Sequence, residues 1–344
     1  MINIFSNQNI KIFLPDNDSL NDATAHYIYL IEKAIIKAGG SSIKCKKISD
    51  IHSKDIVITI QLSVFIKYFF FFLIKRNQLV HWLQSISPEE AQLSNPNILL
   101  HPLRVLAEIV VLRISKKLFL GAESMLRHYE SKYKLKIQHK SIIIPCYNKH
   151  LQRDTFFIAN KYATPSFVYA GSLSAWQCFE ETVEIYKKIE DTLDNSKLTV
   201  LTAEEERAKI ILKEKGIQRF EVKYVPLIQL DNELSKHKYG FLIRKEHIVN
   251  YVATPTKMNS YLSVGLIPIF TDAVADFNTK INLQDYELKI SSDVCIDDAV
   301  NKILSFEKNN MIKTDKYYNI VKYIFDNYYS DEKNLDNIII NGNI

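Results

Sequence analysis

Glycine and cysteine are scarce in this chain. With 8 Gly and 9 Pro in 344 residues, collagen-like repeats and flexible low-complexity linkers are excluded. The four cysteines, Cys45, Cys146, Cys178 and Cys295, form no C-x-x-C pair. Neither a structural zinc site nor a disulfide framework is expected, and a reducing cytoplasm is the natural setting. No basic n-region and long apolar core mark a leader at Met1-Ile2-Asn3-Ile4-Phe5. The most apolar run, 68–74 (YFFFFLI), is far short of the ~20 residues that a membrane-spanning helix needs. P-loop, nucleophile-elbow and H-x-x-x-H patterns are missing, as is the aromatic-interleaved basic patch of nucleic-acid readers. Asp16-Asn17-Asp18 spells D-x-D but reads as a turn after the first strand, so a metal-held diphosphate is not expected.

What remains is an ordinary globular composition, 47% hydrophobic and 24% charged, long enough for two domains. The net charge of +5 is unevenly spread: residues 1–160 hold 21 Lys/Arg against 12 Asp/Glu. A basic N-terminal half suits an anionic membrane surface or a phosphorylated acceptor, and equally a solvated basic face. Strands are expected at 10–14, 55–60, 78–82, 117–120 and 141–144, with helices at 23–37 and 103–115 between them. The second half repeats the alternation, with strands at 166–169, 197–201, 220–225, 239–243 and 267–270, and with a strand and helix over 294–306. Such alternation predicts an α/β protein of two Rossmann-like domains, 1–155 and 156–344, facing each other across a cleft. The last helix, 316–329, is expected to pack back toward the first domain. Ligands of such sheets bind beyond the carboxyl ends of the strands, so function is sought there.

Three segments follow strands and carry chemistry. In the first, Arg244 stands at a strand end, and a loop then leads to Thr254-Pro255-Thr256-Lys257 at a helix start. Arg244 can grip phosphate oxygens in a fork, Lys257 adds a point charge, and the helix terminus favours an anion. An ordinary threonine-capped helix with surface cations accounts for the same letters. In the second, Gly171 and Ser172 open a turn where the backbone can approach a phosphate, followed by Trp176-Gln177. In the third, Pro88-Glu89-Glu90 is either a proline-led acidic helix start or the source of a carboxylate base. Glu204, Glu205 and Glu206 read as acids of a helix first turn, and His26 as a structural histidine. The run 67–76, cation-flanked, suits either a membrane interface or a domain core.

The stretch 239–272 resembles the donor-binding region of retaining family 4 glycosyltransferases, which have the GT-B fold. Gly240, Arg244, Asn250, Pro255, Thr256, Lys257, Tyr261, Leu262 and Gly265 match its pattern. The resemblance extends to 81–90 (HWLQSISPEE), to Glu108, to 119–129 with Ser124, and to Pro145-Cys146-Tyr147-Asn148. It implies a hexosyl-type transferase, retaining and metal-independent, with no cofactor beyond a nucleotide diphosphate-sugar donor and with a glycan or lipid-linked glycan acceptor. It implies capsule or O-antigen synthesis at the cytoplasmic face of the membrane. By the same resemblance Gly171, Ser172, Gln177, Thr202, Arg244, Asn250, Thr254, Pro255, Thr256, Lys257 and Ser260 hold the donor, while Arg244, Lys257 and Glu89 serve catalysis. Ser260 and Val252 stand where the family has glutamates, one of them a ribose contact. That departure leaves room for a non-catalytic partner of another transferase; a GT-B-fold sugar-nucleotide epimerase or hydrolase is a further alternative.

Overall fold

The computed structural model describes residues 3–6, 8–15, 22–94, 100–293 and 295–342; the expected turn at Asp16-Asn17-Asp18 lies outside them. The chain divides into two compact units. The first takes in the described residues up to Asn148, then Val252–Thr254, then those from Tyr328 onward; the second spans Lys149–Tyr251 and Pro255–Asn327.

In the first unit β1 (Asn9–Phe13), β2 (Ser41–Cys45), β3 (Ile56–Thr59), β4 (Gln78–Leu83), β5 (Lys117–Leu120) and β6 (Ser141–Ile143) form an all-parallel sheet, ordered β2-β1-β3-β4-β5-β6. β3, Ile-Val-Ile-Thr, is buried at every position, as a strand covered on both faces must be. Tyr27, on the helix Asp22–Lys37, stacks on Trp82 of β4 with ring centroids 3.7 Å apart. The helix Asp331–Asn341 completes this unit. Asn337 donates its side-chain amide to the Ile143 carbonyl of β6 at 2.7 Å. Tyr147 donates to Asp331 at 2.9 Å and accepts from Asn334 at 3.1 Å.

In the second unit β7 (Ser166–Ala170), β8 (Lys197–Leu201), β9 (Phe220–Lys223), β10 (Tyr239–Leu242), β11 (Ile267–Thr271) and β12 (Leu288–Ile290) form another all-parallel sheet, ordered β12-β11-β10-β7-β8-β9. Strand order reverses between β7 and β10, the topological switch point where such sheets bind ligands. These two strands pair only at Tyr239–Phe167 and Gly240–Val168. Beyond that pair the Tyr261 hydroxyl fills the gap, accepting from Ala170 N–H at 3.2 Å and donating to the Phe241 carbonyl at 3.1 Å. Gly240 makes room for this ring: a Cβ there would stand 2.6 Å from it.

Two expectations change. Among the described residues of 294–306 no strand precedes the helix, which runs Ile296–Asn309; the strand of this region is β12, too short to show alternation. The run 67–76 becomes two short helices, Leu62–Lys67 and Phe69–Ile74, in which Phe72 is core while Phe70 and Ile74 are 75% and 80% exposed.

Candidate functional site at the switch point of the second sheet

Arg244 lies two residues past the end of β10. Its backbone N–H donates to the Thr271 hydroxyl at 3.0 Å, and that hydroxyl donates back to the Arg244 carbonyl at 2.7 Å, fixing the residue against β11. The side chain is only 5% exposed. Its Nη1 donates to the Trp176 carbonyl, while Nε has no partner among the described residues. Burial holds the guanidinium below its ordinary pKa.

Lys257 is the second residue of the helix Thr256–Ser263. Its Nζ donates to Gln177 Oε1 at 2.7 Å and lies 4.3 Å from the centre of the Tyr169 ring. The stem keeps some exposed surface. Even so, burial first and the Arg244 charge second hold the ammonium well below the ordinary lysine pKa. Among the described residues no carboxylate forms an ion pair with either cation. Gly171, the residue after β7, has φ +137, and a Cβ there would lie 2.6 Å from Lys257 Cε. Gly171, Gln177, Arg244 and Lys257 are thus brought together on the two sides of the switch point.

The other expected residues hold different positions. Thr256 is not a cap: Pro255 occupies the N-cap position and no side chain caps the helix, which leaves the leading N–H groups without a side-chain acceptor. Ser260 spends its hydroxyl on its own helix, donating to the Thr256 carbonyl at 3.2 Å. Asn250 is buried and donates to the Lys245 carbonyl at 2.9 Å, so it shapes the loop. Ser172 pairs with Ser174 at 3.0 Å, and Thr202 accepts from Glu204 N–H at 3.2 Å. Thr254 belongs to the first unit, where its hydroxyl accepts from Cys146 N–H at 3.3 Å. The Glu204 carboxylate, expected in a helix first turn, accepts the Leu173 N–H at 2.7 Å and holds the turn after β7. Nothing local in the sequence signals that contact.

In the first unit Glu89 lies 2.7 Å from Lys132 Nζ and 3.3 Å from His128 Nε2. Burial opposes its ionisation, but these two partners outweigh burial and bring the carboxyl down to about 2. A carboxylate held so acidic is a weak base in the ligand-free protein. Glu108 is buried behind it, accepting from Lys132 at 3.1 Å and from Tyr129 at 3.3 Å. Ser124 is fully buried. His26 lies 3.2 Å from Asp331 and ties two helices together. Among the described residues no group of three or more His, Cys, Asp or Glu is placed to hold a metal. No helix among them is long and apolar enough to cross a membrane.

No protein-family model and no curated protein matches the chain. Solved structures match its fold. HepE of Anabaena, in complex with UDP and glucose, aligns over 95% of this chain and 97% of its own, at 9% identity and a TM-score of 0.67. The lipopolysaccharide outer core galactosyltransferase WaaB aligns over 97% and 99%, at 13% identity and 0.63. A mutant of TarM from S. aureus, in complex with Fondaparinux, alpha-GlcNAc-glycerol and UDP, aligns over 85% of this chain at 12% identity and 0.61. The chain spans 56% of TarM's length. At such identities the likeness is one of fold: two Rossmann-like domains, each built on a parallel six-stranded sheet, as in GT-B glycosyltransferases.

Proposed function

We propose that this chain is a glycosyltransferase that moves a sugar from a nucleotide diphosphate-sugar to a hydroxyl of a glycan or lipid-linked glycan, in the assembly of a bacterial surface polysaccharide such as capsule or O-antigen. The observation that carries this reading is the pair Arg244 and Lys257, two cations at a switch point with no ion-paired carboxylate among the described residues. Buried charge is costly unless paired, and an anionic ligand is the missing partner. A diphosphate fits that need and the uncapped helix start beside it.

Breaking the bond between sugar and diphosphate leaves negative charge on the departing oxygens. Preplaced cations stabilise that charge without reorganising, so Arg244 and Lys257 act on the leaving group in the role a metal has in other transferases. Gln177 orients the Lys257 ammonium, and Gly171 keeps the floor of the site low enough for it. The family resemblance adds retention of configuration with no protein nucleophile. HepE and TarM carry UDP in their structures, which makes a UDP-sugar the first donor to try. The exposed Phe70 and Ile74, close in sequence to Lys67, Lys75 and Arg76, support contact with an anionic membrane at its cytoplasmic face.

Thermal shift with UDP, GDP, ADP, dTDP and CMP tests the donor site, since a ligand of the native state raises its melting temperature. Arg244→Ala and Lys257→Ala are expected to abolish the shift given by the preferred diphosphate, and unchanged binding in both rejects the site. A second reading, a non-catalytic partner of another transferase, is favoured by Val252 and Ser260 in place of glutamates. Nucleotide binding without turnover on any acceptor extract selects it.

A further inference from the structure

The helix Thr256–Ser263, which carries Lys257 in its first turn, is held at its other end. It closes in a glycine turn: Gly265, at φ +77, donates its N–H to the Leu262 carbonyl at 3.2 Å, and Leu266 N–H reaches back to the Tyr261 carbonyl at 3.0 Å. Such a turn leaves the next carbonyls without partners in the helix. One short segment ahead of β7 supplies them. Gln152 N–H donates to the Ser263 carbonyl at 2.9 Å, Lys161 Nζ to the Val264 carbonyl, and the Tyr162 hydroxyl to the Gly265 carbonyl at 2.8 Å. Midway along the helix, the buried Asn259 side chain accepts Lys149 N–H at 2.8 Å and donates to the Lys149 carbonyl at 3.0 Å.

Lys161 is the costly member of this clamp. It is 6% exposed, and its ammonium donates to two main-chain carbonyls, those of Val264 and Thr155, the latter at 3.0 Å. Neither partner is a carboxylate, so the cost of burying the charge is only partly offset. Burial accordingly brings its pKa down to about 7. A neutral donor, as Tyr162 is for Gly265, would meet the same carbonyl without that cost. What the cation adds is its sign, because the carbonyl end of a helix is its negative pole. Eight helical residues make a stiff rod of about 12 Å. Where the rod is held at Val264 therefore also decides where its first turn stands, with Lys257 and the leading N–H groups.

We infer that Lys161 is a positioning residue of the donor site: it fixes the far end of the helix Thr256–Ser263 and so sets where Lys257 meets the diphosphate. The inference rests on the glycosyltransferase reading and deepens it by adding a residue that touches no substrate and acts through another. The site stands on two supports. Gly171 and Gln177 follow β7, and Arg244 follows β10 and is tied to β11 through Thr271. Lys257 rides on the clamped helix. Loosening the clamp shifts Lys257 against the other three and leaves Arg244 in place.

The test is a double-mutant cycle on the full chain, read by NMR titration with UDP, or with the diphosphate that the thermal-shift screen selects in its place. NMR reaches the weak, millimolar binding expected once Lys257 is gone. Lys161→Met is expected to weaken binding about fivefold in the parent and less than about twofold in the Lys257→Met background, where no ammonium is left to position. Equal losses in the two backgrounds mark a general defect of the fold and overturn the inference, as does unchanged affinity in the parent. If Lys161→Met does not melt cooperatively, Lys161→Gln, uncharged but still a donor, takes its place and the same comparison decides. A parent that binds no nucleoside diphosphate removes the donor-site reading itself; binding by the parent without the coupling removes the role of Lys161 alone.

Discussion

Replacing Lys257 by Met separates what this lysine costs the fold from what it does for a ligand. Methionine matches the length of the stem and removes the charge. In the free protein the ammonium has one amide oxygen, an aromatic face and a nearby guanidinium as its surroundings. Its pKa is therefore depressed relative to the unfolded chain, where it titrates near 10.5. Between the folded and unfolded values the unfolded state binds more protons, so stability rises with pH through that window, and below the folded value the penalty is fully present. Lys257→Met should remove this slope and raise the melting temperature at neutral pH. With a diphosphate bound the order inverts. The lost charge-assisted hydrogen bond is worth about 1.5–3 kcal/mol, or roughly 10- to 150-fold in Kd. A bound anion also raises the Lys257 pKa, so binding above the free-state value takes up a proton. Isothermal titration with UDP at pH 9 in two buffers of different ionisation enthalpy measures that uptake. A variant that binds UDP within twofold of the parent, takes up the same protons and melts no higher would refute the reasoning.

Three further outcomes are expected. Gly171→Ala forces a side chain into a left-handed backbone at φ +137 and against Lys257; a loss of about 1–2 kcal/mol in urea unfolding is expected, with weaker nucleotide binding. Glu89→Gln should flatten the acid side of the stability profile. The Glu89 carboxyl lies at about 2 in the fold, so its contribution is complete above 4.5 and fades as pH falls toward 2; an unaltered acid-unfolding curve would contradict the ion pair with Lys132. Phe70→Ser with Ile74→Ser should lower co-sedimentation with phosphatidylglycerol vesicles several-fold and leave the urea midpoint in place, because both side chains are exposed.

The fold was legible where the code is local. A β-branched run such as β3 announces a doubly covered strand, and a glycine after β7 announces a close approach. Gly171, Arg244 and Lys257 are visible in the sequence as neighbours of strand ends and helix starts, while their meeting is implied only by resemblance. What sequence could not supply was partnership across the fold. Glu204 looks like a helix-start acid, and only the packing of β7 against β8 turns its carboxylate onto Leu173. Thr256 has the letter of a cap, yet the chain enters the helix one residue early and Pro255 takes that position. Glu89 has the letter of a base until the helix Glu123–Tyr133 brings Lys132 and His128 against it. His81 finds its Nδ1 partner in Thr59, 22 residues away.

The helix Asp331–Asn341 also has a bearing on biosynthesis. It covers the edge strand β6 and the helix Asp22–Lys37, yet it is translated after the whole second unit. Until those residues leave the ribosome, the first sheet has an unprotected edge, the kind of surface that pairs with a neighbouring chain. A message cut short before codon 331 should therefore yield aggregate and not a free-standing first domain.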